Sequence, residues 1–117
     1  MRTYQLTRTF VDDTLACGTL RSAQVVHRTA RHITIRLTDT DATELYGRAE
    51  HYVGEAGEYG GQGYGGLVAS ARTTMKRMTA QGYDVYDLVH RRRASRIGYM
   101  QHCRWYDYLD ARGLPRR

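Results

Sequence analysis

The chain has 117 residues, with 18 basic and 12 acidic side chains, a formal net charge of +6 at pH 7 and 41% hydrophobic content. That is the size and balance of one ordinary globular domain. No apolar run approaches the length of a membrane span, and Cys17 and Cys103 lie far apart outside any CxxC context, which excludes a transmembrane bundle and a disulfide framework.

The opening MRTYQLTRTF has no apolar stretch of signal-peptide length, so a soluble intracellular protein with reduced thiols is expected. Residues 3–11 alternate, with Tyr4, Leu6 and Phe10 on one side and Thr3, Gln5, Thr7 and Thr9 on the other. This is the period of a half-buried strand. Residues 12–22, DDTLACGTLRS, hold no sustained pattern and read as a loop. Residues 24–29 and 32–38 then predict a hairpin across Ala30 and Arg31, with Ile33, Ile35 and Leu37 inward. Three short strands with one apolar face need helices to cover it.

Helical periodicity follows. The run Thr38-Asp39-Thr40-Asp41 offers N-caps, with Glu44 close behind the capping-box position for Thr40. From 42 to 53 a helix would bury Leu45, Ala49, Tyr52 and Val53 and pair Glu44 with Arg48. Residues 54–66, GEAGEYGGQGYGG, contain seven glycines and read as a flexible connector. A second helix over 67–81 would bury Leu67, Ala71, Thr74, Met75 and Met78 and stop at Gly82. Asp84 would cap a short helix with Val85, Leu88 and Val89 inward, although YDVYDLVH also alternates tolerably as a strand. A last helix over 95–111 would bury Ile97, Gly98, Trp105, Tyr108 and Leu109, ending at Gly113 and Pro115. The expected class is α+β, a three-stranded antiparallel sheet followed by about three helices on one face. The expected domain spans residues 1–112, with 113–117 as a basic tail.

The stretch RLTDTDATELYGRAEHYV, residues 36–53, with the Gly/Tyr loop and GLVASARTTMKRM, residues 66–78, resembles small orphan proteins of actinobacteriophages. Those proteins similarly pair an "RLTD"-like helix cap with an "AEYY"-like helix end, here Ala49-Glu50-His51-Tyr52. A "SARAT"-like second helix follows, here Ser70-Ala71-Arg72-Thr73-Thr74. The resemblance covers roughly residues 3–80 and implies a phage origin and a host cytoplasm. It brings no activity and no catalytic residues.

Charge separates sharply along the chain. Residues 1–89 hold ten basic and ten acidic side chains, whereas residues 90–117 hold eight arginines against Asp107 and Asp110. The last quarter therefore accounts for the whole net charge. A GC-rich coding genome explains why lysine occurs once, at Lys76, among so many arginines, but not why they crowd at one end. Arg91, Arg92, Arg93, Arg96, Arg104, Arg112, Arg116 and Arg117 suit phosphate, while Tyr99 and Trp105 are candidates to stack on bases. The same surface would equally suit an acidic host protein, with Tyr59 and Tyr64 as secondary aromatic contacts, or a virion component.

Other chemistries find little support. Residues 67–88 make a poor helix-turn-helix, because Met78 stands where a small residue is wanted and Asp84 and Asp87 would repel phosphate. The glycine loop lacks the Lys-Ser/Thr pair of a P-loop. The five histidines do not repeat at ligand spacing, and Asp12-Asp13 looks like an ordinary loop pair. A non-enzymatic binding protein without metal or cofactor is expected, its partner DNA, RNA or an acidic protein.

Overall fold

A computed structural model describes residues 1–58, 66–86, 110, 111 and 113–115. The chain divides into two units, Met1–Tyr83 and Asp84–Arg117.

The first unit is α+β. Its elements are β1 (Arg2–Thr7), α1 (Arg8–Ala16), β2 (Gln24–Arg28), β3 (His32–Leu37), α2 (Asp39–Glu58) and α3 (Leu67–Ala80). The sheet order is β1-β3-β2, with β3 antiparallel to both neighbours. β1 and β2 therefore run parallel with β3 between them, and a chain joining parallel strands must cross back over the sheet. The helix α1 makes that crossing.

Here the expectation of a strand over 3–11 and a loop over 12–22 is corrected. The alternation of Tyr4 and Leu6 ends at Thr7, because Arg8 occupies the next inward position. Phe10, Val11 and Thr14 then bury one helical face. Phe10 is buried as expected, from a helix rather than a strand. Arg8 and Asp12, one turn apart, form an ion pair at 3.0 Å. Such a pair faces its partner on a helix and not in an extended strand. One helix thus lies between the strands, and the order is β-α-β-β-α-α.

The hairpin forms across Ala30 and Arg31. Thr29 closes it, its N–H donating to the His32 carbonyl at 2.9 Å and its hydroxyl accepting the His32 N–H at 3.0 Å. Tyr4, Leu6, Ile33, Ile35 and Leu37 are buried on one sheet face, together with Phe10 and Val11 of α1. By contrast all of β2 is exposed, and an irregularity between Val25 and His27 leaves Val26 without a partner on β3.

Both places where a strand runs straight into a helix are held by a serine from elsewhere in the chain. At β1–α1 the side chain of Thr7 makes no cap bond. The Phe10 N–H donates instead to Ser70 Oγ of α3 at 3.0 Å, and the Ser70 and Thr7 hydroxyls bond at 3.0 Å. At β3–α2 the cap is Thr38, the first of the N-cap candidates in the run 38–41, and its Oγ1 accepts the Asp41 N–H at 3.2 Å. The Thr38 N–H donates to Ser22 Oγ at 3.1 Å, and the Ser22 hydroxyl donates to Asp41 Oδ2. Ser22 is thereby inserted between the two ends of what would otherwise be a capping box.

The helix α2 runs past the expected end at residue 53 and continues to Glu58. Leu45 and Ala49 are buried, as are Ala71, Thr74 and Met78 of α3, while Tyr52, Val53, Leu67 and Met75 are only half-buried. Tyr52 meets Phe10 edge-on, with ring centroids 5.6 Å apart. The helix α3 packs against α1, α2 and β1.

Its end forms a Schellman motif. The Tyr83 N–H bonds Met78 O at 2.9 Å and the Gly82 N–H bonds Thr79 O at 3.1 Å. Gly82 has φ +100°. Tyr83 then stacks on Tyr46 of α2 at 4.7 Å and donates to Thr43 Oγ1 at 3.2 Å.

In the second unit, the Tyr86 N–H donates to Asp84 Oδ1 at 3.0 Å and residues 85 and 86 are helical, which matches Asp84 as a cap. The Tyr86 hydroxyl donates to Pro115 O at 2.8 Å. Residues 110 and 111 are helical and Gly113, at φ +65°, follows them, as expected for a terminating glycine.

Two stability predictions follow from these contacts. At Gly82 the positive φ disfavours any side chain, and an added Cβ would lie 2.9 Å from Arg2 Nη1. Gly82→Ala is expected to lower stability by about 1–2 kcal/mol, measured as a reduced urea midpoint. Thr74 is fully buried with no hydrogen-bond partner for Oγ1. Thr74→Val removes that unsatisfied hydroxyl and is expected to raise stability by about 1 kcal/mol in the same titration.

Candidate functional site

The expected contact residues, Arg91, Arg92, Arg93, Arg96, Tyr99, Arg104, Trp105, Arg112, Arg116 and Arg117, lie outside the described residues, as do Tyr59 and Tyr64. So do residues 95–109 of the expected helix over 95–111 and residues 87–93 of the segment after Asp84. The described residues show how the charged side chains among them are used.

Asp12 and Asp13 stand on α1 and serve the fold, not a loop. Asp12 takes two guanidinium groups. Arg8 Nε bonds Oδ2 at 3.0 Å, and Arg28 Nη2 of β2 lies 3.3 Å from Oδ1. Arg8 also donates to Thr29 O at 2.9 Å, tying the start of α1 to the hairpin turn. Asp13 takes Arg48 of α2 at 3.1 Å, replacing the expected Glu44–Arg48 pair. The same Arg48 nitrogen reaches Tyr52 Oη and Cys17 Sγ, each at 3.2 Å. Partial burial works against the Arg48 charge. The Asp13 hydrogen bond and the neighbouring Tyr52 and Cys17 outweigh it and hold its pKa above the ordinary arginine value. Cys17 is a free, exposed thiol beside this cluster.

Two more arginines bond backbone. Arg2 Nη1 donates to Gly82 O at 3.0 Å and Arg77 Nε to Gln5 O at 2.8 Å. Arg2, Arg8, Arg28, Arg48 and Arg77 are therefore committed to the first unit. Arg21, Arg31, Arg36, Arg72 and Lys76 are exposed, and none of their side chains makes an ion pair or a hydrogen bond among the described residues.

Arg36 sits on the central strand, on the sheet face opposite Ile35 and Leu37. Thr3 and Gln24 flank it in register, while Gln5 and His27 flank Thr34. No acidic residue occurs in any of the three strands. The strand residues on this outer face are polar and include no carboxylate, so they do not repel an anion. The reading of residues one at a time missed it. The signal was present in the absence of Asp and Glu from all three strand segments.

Among the described residues no group of three His, Cys, Asp or Glu side chains could hold a metal ion, and no helix is long and apolar enough to cross a membrane. Comparison with protein-family models, curated proteins and solved structures finds no match to this chain.

Proposed function

We propose that this is a non-enzymatic phage accessory protein that acts in the host cytoplasm by binding nucleic acid. In this reading Arg91, Arg92, Arg93 and Arg96 meet phosphates, together with Arg104, Arg112, Arg116 and Arg117, and Tyr99 or Trp105 stacks on bases. The observation that carries it is the placement of the whole net charge of +6 in residues 90–117. The pattern of ion pairs supports it: the arginines of the first unit that meet carboxylates, Arg8, Arg28 and Arg48, are taken up by Asp12 and Asp13 within the fold. The excess charge at the other end has only Asp107 and Asp110 in its own segment to offset it. The phage origin and host cytoplasm rest on the resemblance of residues 3–80.

The test is binding to labelled duplex DNA and single-stranded RNA across a salt series. A variant with Arg91, Arg92, Arg93 and Arg96 changed to alanine serves as the comparison. Each phosphate contact contributes a slope of about −0.9 to log K against log salt on duplex DNA. Wild type is expected to bind at low salt and weaken steeply, and the variant to bind at least tenfold less with a shallower slope. No binding by wild type at low salt overturns the reading and directs the arginines to an acidic host protein.

A further inference from the structure

We infer that the outer face of the sheet is a second contact surface, which takes single-stranded nucleic acid along β3 from the hairpin turn to Arg36. This presupposes that the protein binds nucleic acid, and adds a site in the first unit to the arginines of residues 90–117.

The zero net charge of residues 1–89 conceals a segregation. All the carboxylates of residues 1–83 stand on two helices, two on α1 and six on α2. The three strands and α3 hold none. Both acidic helices join the core on the inner face of the sheet, through Phe10, Val11, Leu45 and Ala49. The outer face is left to the side chains of the strands themselves. Asp39 and Asp41 follow β3 beyond Arg36, and Asp41 is already bonded to Ser22.

On the outer face His32, Thr34 and Arg36 recur at every second residue of β3, a row of about 14 Å. His27 of β2 lies beside Thr34 in register, and Arg31 stands in the turn at the far end of the row. His27, Arg31 and Arg36 are exposed. Cations and planar rings are thus spaced along one strand, with the amides of Gln5 and Gln24 and the hydroxyl of Thr3 on its flanks.

This chemistry selects the occupant. A protein partner needs an apolar centre to bury, and this row has none. A duplex groove admits a helix or a two-stranded ribbon, which the open face of a three-stranded sheet is not. Unpaired bases, by contrast, stack on imidazole and guanidinium planes while their phosphates meet the cations, and amides and hydroxyls bond their edges.

The test is fluorescence anisotropy of the full-length protein with labelled oligo-dT and with a labelled duplex at low salt, joined to NMR of the histidine side chains. Arg36→Ala combined with His27→Ala, both at exposed positions, is expected to keep the urea midpoint and to weaken oligo-dT binding by about tenfold, with duplex binding unchanged. Arg72→Ala removes one exposed cation from α3 and is expected to leave both affinities unchanged. In the wild type the imidazole resonances of His27 and His32 should shift on adding oligo-dT at constant pH, whereas that of His51, on α2, should not. Oligo-dT binding that the double variant leaves intact, or that Arg72→Ala weakens as much, overturns the proposal, as do unmoved His27 and His32 resonances. If binding is lost when Arg91, Arg92, Arg93 and Arg96 become alanine but not in the Arg36 and His27 variant, only this site falls. A wild type that binds neither probe overturns both readings.

Discussion

The Ser70 hydroxyl is the contact on which the arrangement of the first unit depends. With β3 between two parallel strands, the chain must leave β1 and cross the sheet, and it does so with no linker, because α1 begins at the residue after β1 ends. A helix start leaves backbone N–H groups without intrahelical partners. The Thr7 side chain does not supply one, and the donor at Phe10 is buried. Ser70 accepts it from α3 and also holds the Thr7 hydroxyl. The direction in which α1 leaves the sheet is thus tied to the position of α3. That position is set by the Gln81 and Arg77 bonds to β1 and by the Schellman turn at Gly82. Ser22 performs the corresponding task at Thr38, so both strand-to-helix junctions are closed by long-range contacts.

This explains which parts of the fold were legible in the sequence. The hairpin, the inward residues of β3, the second helix and its stop at Gly82 all follow from local signals: alternation, helical spacing and a terminating glycine. The first helix did not, because Phe10 continues the alternation of Tyr4 and Leu6 when Arg8 is overlooked. The Arg8–Asp12 spacing was the signal that could have revealed it. Other features had no local signature. Ser70 caps a helix sixty residues earlier in sequence, and Gln81 seals a strand at similar separation. Arg48 turns to Asp13 on another helix although Glu44 stands one turn away on its own, since Glu44 is exposed and the Asp13 site also offers Tyr52 and Cys17. Of the candidate contact surface, the charge asymmetry was legible from composition alone. The absence of Asp and Glu from the strand segments was legible too, but that Thr3 and Gln24 flank Arg36 needed the strand register.

Arginine accordingly has two uses in this chain. In the first unit it is a structural cross-link: a planar group that meets a carboxylate and a second acceptor together, a phenol for Arg48 and a carbonyl for Arg8. Arg48 joins α2 to α1, and the Arg8 side chain reinforces at Thr29 O the link that its own backbone N–H makes to Arg31 O at 3.1 Å. Exposed ion pairs of this kind contribute little individually, and their value here is in orienting α1 rather than in total stability. In residues 90–117 the arginines outnumber nearby carboxylates four to one, eight against two, and that imbalance is what makes them the candidates for a partner.

The most direct test of the account is native-state amide exchange in a Ser70→Ala variant, read at Phe10 and at Asp41. Loss of the Ser70 acceptor is expected to cost about 1–3 kcal/mol, because it leaves the buried Phe10 N–H unsatisfied. If Ser70 holds the crossover, exchange at Phe10 and along α1 accelerates by about tenfold or more while Asp41, capped by Thr38, keeps its protection relative to global unfolding. Unchanged protection at Phe10 together with unchanged global stability would contradict the account.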